Sequence, residues 1–159
     1  IDVLSMVALA ARVGTTLDAP FAWDDDPYRD FFALGRAYEA VGQTERAIRA
    51  YQRARRDDKR QTRDAACKRL SFLLKRLQRH EEAIQIWREQ LDGSKIYPYV
   101  ELAKQLEHKE RDYVEAKRMT LEAMACADCQ DKKLLSALEH RLERLEKRIE
   151  NAAAGKEGE

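Results

Sequence analysis

Apolar and polar positions follow a helical period along most of the chain. Apolar residues recur three or four positions apart, which places them on one face of a helix. Short breaks interrupt this pattern at Gly42, Gln78 and Gly93 and near residues 56–58 and 109–111. Because the breaks are short, successive helices are expected to fold back on each other. The pattern predicts an all-α chain with helices near residues 28–41, 44–56, 62–77, 80–91, 97–108, 112–127 and 131–151.

Small residues recur at corresponding positions of the predicted helix pairs. Gly35 and Ala47 are expected where the first two helices cross, since only small side chains let two backbones approach closely. Tyr38 and Tyr51 are expected to fill the space between neighbouring hairpins. Ala47 has a counterpart at Ala83, 36 residues later. Because one hairpin cannot bury its apolar face alone, this recurrence predicts units that stack on each other.

The full pattern resembles the tetratricopeptide repeat. The first unit reads Leu34-Gly35-x-x-Tyr38, then Gly42-Gln43-Thr44-x-x-Ala47, Tyr51 and Ala54. Two weaker units follow, with Leu70-Ser71-x-x-Leu74, His80-x-x-Ala83 and Trp87, and then Leu102-Ala103-x-x-Leu106, Tyr113-x-x-Ala116 and Ala123. The resemblance implies an antiparallel helix-hairpin solenoid of about three repeats over residues 28–127. Another kind of helical hairpin bundle is the alternative.

The remaining segments are predicted to flank these repeats. Residues 1–13 are expected to form an apolar helix, interpreted as the remnant of a preceding domain, and residues 14–27 are expected to form a linker. Residues 128–151 are expected to form a C-terminal capping helix, and residues 152–159 a disordered tail. The apolar seam of that helix either covers the end of the stack or joins two copies as a homodimer; it consists of Leu135, Leu138, Leu142, Leu145 and Ile149.

A second resemblance concerns the edges of the chain. Ile1-Asp2-Val3-Leu4-Ser5 resembles the start of the last helix of RNase H-like 3′–5′ exonucleases of the four-carboxylate (DEDD) type. The segments 98–109 and 140–145 resemble the helical tail of bacterial proteins that carry such a domain. The resemblance matches Asp2 to the last metal ligand. A two-metal site needs several converging carboxylates, and the other three are not in this chain. We therefore expect no catalysis, no metal and no cofactor here, although the resemblance implies a nuclease as the parent protein.

Charge is unevenly distributed. The net charge is +1, yet residues 46–79 hold thirteen Lys and Arg against three Asp and Glu. Three cysteines form no even disulfide framework, which favours a cytoplasmic location. Cys126 and Cys129 form a CxxC pair without the two further ligands that zinc requires. No stretch is long and apolar enough to be read as a membrane span. Four arginines are expected on the outer, solvated face, namely Arg49, Arg53, Arg55 and Arg56.

The first helix of each hairpin is expected to line a concave face in this architecture. Helical projection brings basic and aromatic residues together there, which we call the basic trough: Arg29, Phe32, Arg36, Lys68, Arg69, Phe72, Lys75, Arg76, Tyr97 and Lys104. This composition suits a protein or acidic peptide partner, with single-stranded nucleic acid as the alternative. The sequence thus predicts a non-catalytic scaffold, or else a nucleic-acid-holding accessory module of a longer exonuclease.

Overall fold

The computed structural model describes residues 30–126 and 131–154. Within these ranges the chain is all-helical and contains no strand. Seven α-helices and one π-helical turn follow each other, namely α1 (Phe31–Ala40), α2 (Thr44–Ala54), α3 (Arg60–Arg76), α4 (His80–Glu89), α5 (Ile96–Gln105), the π-turn (Leu106–Glu110), α6 (Tyr113–Ala125) and α7 (Lys132–Ala154). The predicted segments 1–13 and 14–27 lie outside the described residues, as do Asp2, Arg29 and Cys129.

Each helix packs against the next one along the chain, and α1 also contacts α3. The first pair runs antiparallel. The Arg46 guanidinium lies 5.9 Å from the centre of the Tyr38 ring, and that of Arg53 lies 5.8 Å from the Phe31 ring. The end of α1 therefore lies beside the start of α2, and the start of α1 beside the end of α2. The short connections predicted from the sequence produce this reversal.

The first helix begins three residues later than its predicted start at residue 28. Asp30 is its N-cap, because its carboxylate accepts a hydrogen bond from the backbone N–H of Ala33 at 2.9 Å. Asp112 caps α6 in the same way, accepting from the N–H of Glu115 at 3.0 Å. A short acidic side chain satisfies amide groups that the first turn of a helix leaves without a partner.

Two helix ends share one backbone geometry. α1 and α3 are each followed by a residue in the left-handed region, Gly42 with φ +74° and Gln78 with φ +63°. In both turns the next N–H donates to the carbonyl five residues earlier, at 2.9 Å after Gly42 and 3.0 Å after Gln78. This geometry satisfies the last carbonyls of a helix and reverses the chain. Breaks predicted from the sequence thus coincide with real helix ends, 36 residues apart.

The predicted crossing residues are buried. Gly35, Ala47 and Ala83 are inaccessible or nearly so, and Tyr38 and Tyr51 are fully buried beside them. Tyr38, Ala47, Tyr51 and Ala83 belong to one continuous apolar core, to which the middle helices contribute Leu70, Leu73, Leu74 and Trp87. Burial of small residues at helix contacts is what close backbone approach requires.

The third helix pair differs at its turn. Here Asp112 N–H donates to the Leu106 carbonyl six residues earlier, at 3.1 Å, and Arg111 takes the left-handed conformation with φ +57°. This hydrogen bond spans one residue more than the corresponding bonds after Gly42 and Gln78, so the third turn contains one extra residue. The π-turn Leu106–Glu110 accommodates it, since a π-turn is an α-helix widened by one residue. The widened turn leaves Glu107 1% exposed.

The C-terminal helix ends three residues later than predicted and packs on α6. It continues through Ala154, so residues 152–154, predicted as part of a disordered tail, are helical. Two seam residues, Leu138 and Leu145, are 2% and 0% exposed within the single chain. Leu135, Leu142 and Ile149 are half-buried. The apolar seam is thus packed, at least at Leu138 and Leu145, against other residues of its own chain. Among the described residues, no helix has the length and apolarity needed to cross a membrane.

Candidate functional site

The basic trough lies on α1, α3 and the start and end of α5. Nine of its ten predicted residues are described, and all nine retain solvent access: Phe32, Arg36, Lys68, Arg69, Phe72, Lys75, Arg76, Tyr97 and Lys104. Side-chain contacts connect the three helices. They fall into three groups, one centred on Glu39, one on Glu101 and one on the Tyr97 ring.

Glu39 is the first group's centre, and it receives two arginines from α3. Arg76 Nη2 lies 3.2 Å from one carboxylate oxygen, and Arg69 Nη1 lies 3.7 Å from the other. The Tyr51 hydroxyl donates to that second oxygen at 2.7 Å. Burial raises the pKa of the Tyr51 phenol, and its hydrogen bond to Glu39 raises it further, so the tyrosine stays a donor. Glu39 of α1 therefore holds α3 in place through Arg69 and Arg76.

Arg36 completes an open pocket around this group. The pocket has a volume of about 380 Å³ and is lined by Arg36, Glu39, Ala40, Arg69 and Arg76. No carboxylate in the described part of the chain pairs with Arg36. The described lining of the pocket thus holds three guanidinium groups and one carboxylate, which gives it a net charge of +2.

Glu101 is the centre of the second group, between α3 and α5. Lys75 Nζ and Lys104 Nζ each donate to one of its oxygens at 2.5 Å. The carboxylate is only 5% exposed. Its burial alone raises the pKa, but the hydrogen bonds from Lys104 and Lys75 outweigh burial and hold the pKa of Glu101 below its ordinary value. Both lysines are therefore engaged within the chain.

Aromatic side chains form the third group. The Phe72 and Tyr97 rings lie 6.0 Å apart, centre to centre, and are tilted by 36°. Lys68 Nζ lies 5.4 Å from the centre of the Tyr97 ring, a cation–π arrangement. Phe72 is 38% exposed, which is unusual for a large apolar side chain. This group offers a planar apolar surface next to a positive charge.

Two of these contacts show that α3 and α5 run in the same direction. Along α3, contacts to α5 pass from Lys68 with Tyr97 to Lys75 with Glu101, so residue numbers rise together on both helices. Side-chain contacts therefore link the described residues of the basic trough from α1 through α3 to α5. Its described members carry six cations, and the two carboxylates reduce the net charge to +4.

The two carboxylates were not among the residues predicted for the trough. Glu39 lies three positions after Arg36, and Glu101 lies four positions after Tyr97. The projection that selected Arg36 and Tyr97 therefore also selects both acids. Selecting only basic and aromatic residues overstated the positive charge of this face.

Arg55 is placed differently from the prediction, which put it on the solvated outer face. It pairs with Glu89 of α4, and its side chain is 25% exposed. Its Nε atom is buried and has no hydrogen-bond partner in the structure, like the Tyr97 hydroxyl. Burial raises the pKa of Cys67 nearby, while Arg55 lowers it in part. The Cys67 thiol is therefore protonated and unreactive near neutral pH.

A further charged group joins the π-turn to α7. Glu107 accepts hydrogen bonds from Arg141 at 2.9 Å and from Arg144 at 2.8 Å and 3.1 Å. Arg148 lies 3.8 Å from the same carboxylate. Burial raises the pKa of Glu107, but Arg144 and Arg141 outweigh it and lower the pKa overall. The sequence analysis did not identify this group, although Glu107 and Arg141 lie in the two segments that carry the second resemblance.

No group of three or more His, Cys, Asp or Glu residues suited to a metal ion occurs within residues 30–126 and 131–154. Cys67 and Cys126 are both buried there. Cys126 contacts the carbonyl oxygens of Glu122 at 3.3 Å and Lys95 at 3.5 Å. This member of the CxxC pair is thus part of the contact between α6 and the start of α5.

Comparisons of the chain with protein-family models, with curated protein sequences and with solved structures found no match.

Proposed function

We propose that the chain is a tetratricopeptide-like scaffold without catalytic activity that binds an acidic segment of a protein partner along the basic trough. The observation that carries the proposal is the continuity of the trough. Ion pairs and ring contacts join α1 to α3 and α3 to α5, so the first helices of successive pairs form one surface. A repeat stack presents such a surface to an extended ligand.

Support for the repeat itself comes from spacing. The left-handed residues Gly42 and Gln78 are 36 residues apart, and so are the buried alanines Ala47 and Ala83. Two consecutive helix pairs therefore use the same turn and the same crossing. The capping role proposed for α7 is supported by the burial of Leu138 and Leu145 and by its largely charged remaining surface.

The charge of the trough favours an acidic partner. Its net charge of +4 lies on side chains that are mostly exposed, for example Arg76 at 65% and Arg69 at 52%. Charges of this kind steer association and weaken with salt, because exposed pairs are screened. Phe72 and Tyr97 add apolar contact area between the charges.

The test measures binding of a fluorescent peptide rich in Glu by anisotropy. A fourfold charge reversal at Lys68, Arg69, Lys75 and Arg76 is expected to weaken binding by about a hundredfold or more, because it removes the attraction and adds repulsion. The matched control reverses arginines on α2 outside the trough, Arg49 and Arg53, and is expected to change affinity less than about threefold. Equal loss in both variants would exclude the trough as the binding surface.

A second candidate is an accessory module that holds single-stranded nucleic acid for a longer exonuclease-type protein. One observation favours it, namely the exposed Phe72 ring beside Tyr97 and Lys68, since bases stack on aromatic side chains flanked by cations. A gel shift with a single-stranded oligonucleotide tests it. This candidate predicts binding at low salt that is lost steeply as salt rises. No shift at about 50 mM salt would remove it.

A further inference from the structure

We propose that the pocket between α1 and α3 binds a phosphoryl group carried by a serine or threonine of the partner peptide. This inference rests on the proposed function, because it assigns one subsite within the basic trough. The pocket is the open space of about 380 Å³ around Glu39, and its cations are Arg36, Arg69 and Arg76.

The charge of the pocket matches a dianion. Three guanidinium groups and one carboxylate leave +2, whereas a phosphoryl group carries about −1.5 to −2 near pH 7. A peptide carboxylate carries only −1 and leaves half of this charge without a counterpart. Guanidinium groups also suit phosphoryl oxygens because they donate two parallel hydrogen bonds to them.

The arginines are available to a ligand. The side chains of Arg69 and Arg76 are 52% and 65% exposed, and their separations from Glu39 are 3.7 Å and 3.2 Å, so these pairs contribute little stability. Each guanidinium has five N–H donors, of which one carboxylate uses few. Arg36 is exposed and lines the same pocket.

Glu39 repels the incoming group. The Tyr51 hydroxyl holds its carboxylate in the pocket at 2.7 Å, so the carboxylate remains close to any bound anion. The three arginines outnumber this carboxylate, so the net interaction with an anion is attractive. A dianion feels both the attraction and the repulsion about twice as strongly as a monoanion, and its net attraction to the pocket is therefore about twice as large.

A peptide fits these observations better than a polynucleotide. The arginines converge in a single pocket, whereas a nucleic-acid backbone needs cations along a groove at successive phosphates. Of the other trough cations, Lys75 and Lys104 are each held by Glu101 at 2.5 Å, and Lys68 stands alone beside the Tyr97 ring. Only the pocket around Glu39 therefore brings several cations together at one place within the described part of the trough.

The experiment compares three labelled peptides of one sequence that carry serine, glutamate or phosphoserine at the central position, by fluorescence anisotropy. Phosphoserine is expected to bind about tenfold or more tightly than glutamate. Arg36→Met is expected to remove that preference, while the matched control Arg49→Met on α2 retains it. Glu39→Gln, which keeps an acceptor for Tyr51, is expected to tighten binding of both the phosphoserine and the glutamate peptide severalfold, because it removes a repulsion that both anions meet.

The pH dependence supplies an independent readout. Among the described residues, the charged groups facing the ligand are Arg36, Arg69, Arg76 and Glu39, and none that lines the pocket is a histidine. The second phosphoryl pKa is near 6, so phosphopeptide binding is expected to weaken from about pH 7.5 to pH 5.5. Binding of the glutamate peptide is expected to stay unchanged over this range.

Three outcomes would overturn the inference. If phosphoserine and glutamate bind equally and both need the trough cations, the scaffold function stands and the phosphoryl preference is wrong. If none of the three peptides binds, the proposed function fails as well. If a single-stranded oligonucleotide displaces the phosphopeptide with higher affinity than the peptide itself, the ligand is a nucleic acid. Melting curves of each variant, followed by circular dichroism, verify that it is folded.

Discussion

A β-carbon placed on Gly35 would lie 2.6 Å from the Cδ1 and Cε1 atoms of Tyr51. No ordinary contact is that short, so α1 and α2 meet where only glycine fits. Tyr51 is fully buried, and its hydroxyl is held by Glu39, so the ring has no room to withdraw. The crossing of α1 and α2 and the position of Glu39 in the basic trough thus both depend on Tyr51.

Gly35→Ala is expected to destabilise the protein by about 2 kcal/mol. The higher helix propensity of alanine, worth about 1 kcal/mol, is outweighed by overpacking against Tyr51. The free energy of unfolding in urea measures the effect. Ala37→Ser, at an exposed position of the same helix, serves as control and is expected to change stability by less than about 0.5 kcal/mol. A Gly35→Ala variant as stable as the parent protein would contradict the observed crossing.

Removing the buried carboxylate of Glu107 is expected to loosen α7. Glu107→Gln leaves Arg141, whose side chain is 13% exposed, without a counter-charge, and breaking a buried pair in this way costs about 3 kcal/mol. Glu110→Gln, at an exposed position of the same turn, is the control and is expected to be nearly neutral. Hydrogen exchange should show faster exchange in α7 of the first variant and not of the second. Equal protection in both would mean that the Glu107 group does not hold α7.

Stability is expected to fall in acid because the pKa values of Glu101 and Glu107 are lowered in the folded state. The unfolded carboxyls have the ordinary value of 4.5. The unfolded chain therefore binds more protons in acid, and the stabilisation is complete above about pH 4.5 and lost as pH falls through the folded pKa values. Urea midpoints should stay level from neutral pH to about pH 5 and drop below that. In the double variant with Gln at both positions the drop should be smaller; an unchanged drop would assign it to other groups.

The left-handed turn after α3 is expected to accept glycine. Gln78→Gly should stabilise the protein by about 0.5–1 kcal/mol, because φ +63° strains a residue with a β-carbon. The reciprocal change Gly42→Gln, at the corresponding turn with φ +74°, should cost about 1 kcal/mol. Thermal midpoints measure both. Two changes of the same sign would show that the turns are not equivalent.

The apolar seam of α7 is expected to stabilise the monomer. Leu145→Ala should cost about 3 kcal/mol because Leu145 is fully buried within one chain, and Leu135→Ala at a half-buried position should cost less. Light scattering should give the mass of one chain at high concentration. A dimer mass that Leu135→Ala or Ile149→Ala converts to a monomer would support the homodimer alternative instead.

Local patterns were sufficient to predict the helices and their crossing residues. The period of apolar positions and the breaks at Gly42, Gln78 and Gly93 identify helix ends to within a few residues. Gly35 and Ala47 are small because their backbones must meet, and that requirement is visible in one unit of the sequence. Such features depend on residues close together along the chain.

Features that join distant helices could not be predicted in the same way. Glu107 meets arginines 34 and 37 residues away, and only the folded structure shows that the extra residue of its turn is accommodated by a π-turn. Lys75 and Glu101 are 26 residues apart. Helical projection assigns a face to each side chain but does not show which charges neutralise each other across that face.

The measurement that tests the central claim most directly is the amide spectrum of the isotope-labelled chain during titration with the phosphoserine peptide. Binding in the basic trough predicts shifts concentrated on α1, α3 and α5, strongest near Arg36, Phe72 and Glu101, with α4 and the outer surface of α6 unchanged. Shifts concentrated on α4 and α6, or spread evenly over all helices, would contradict it.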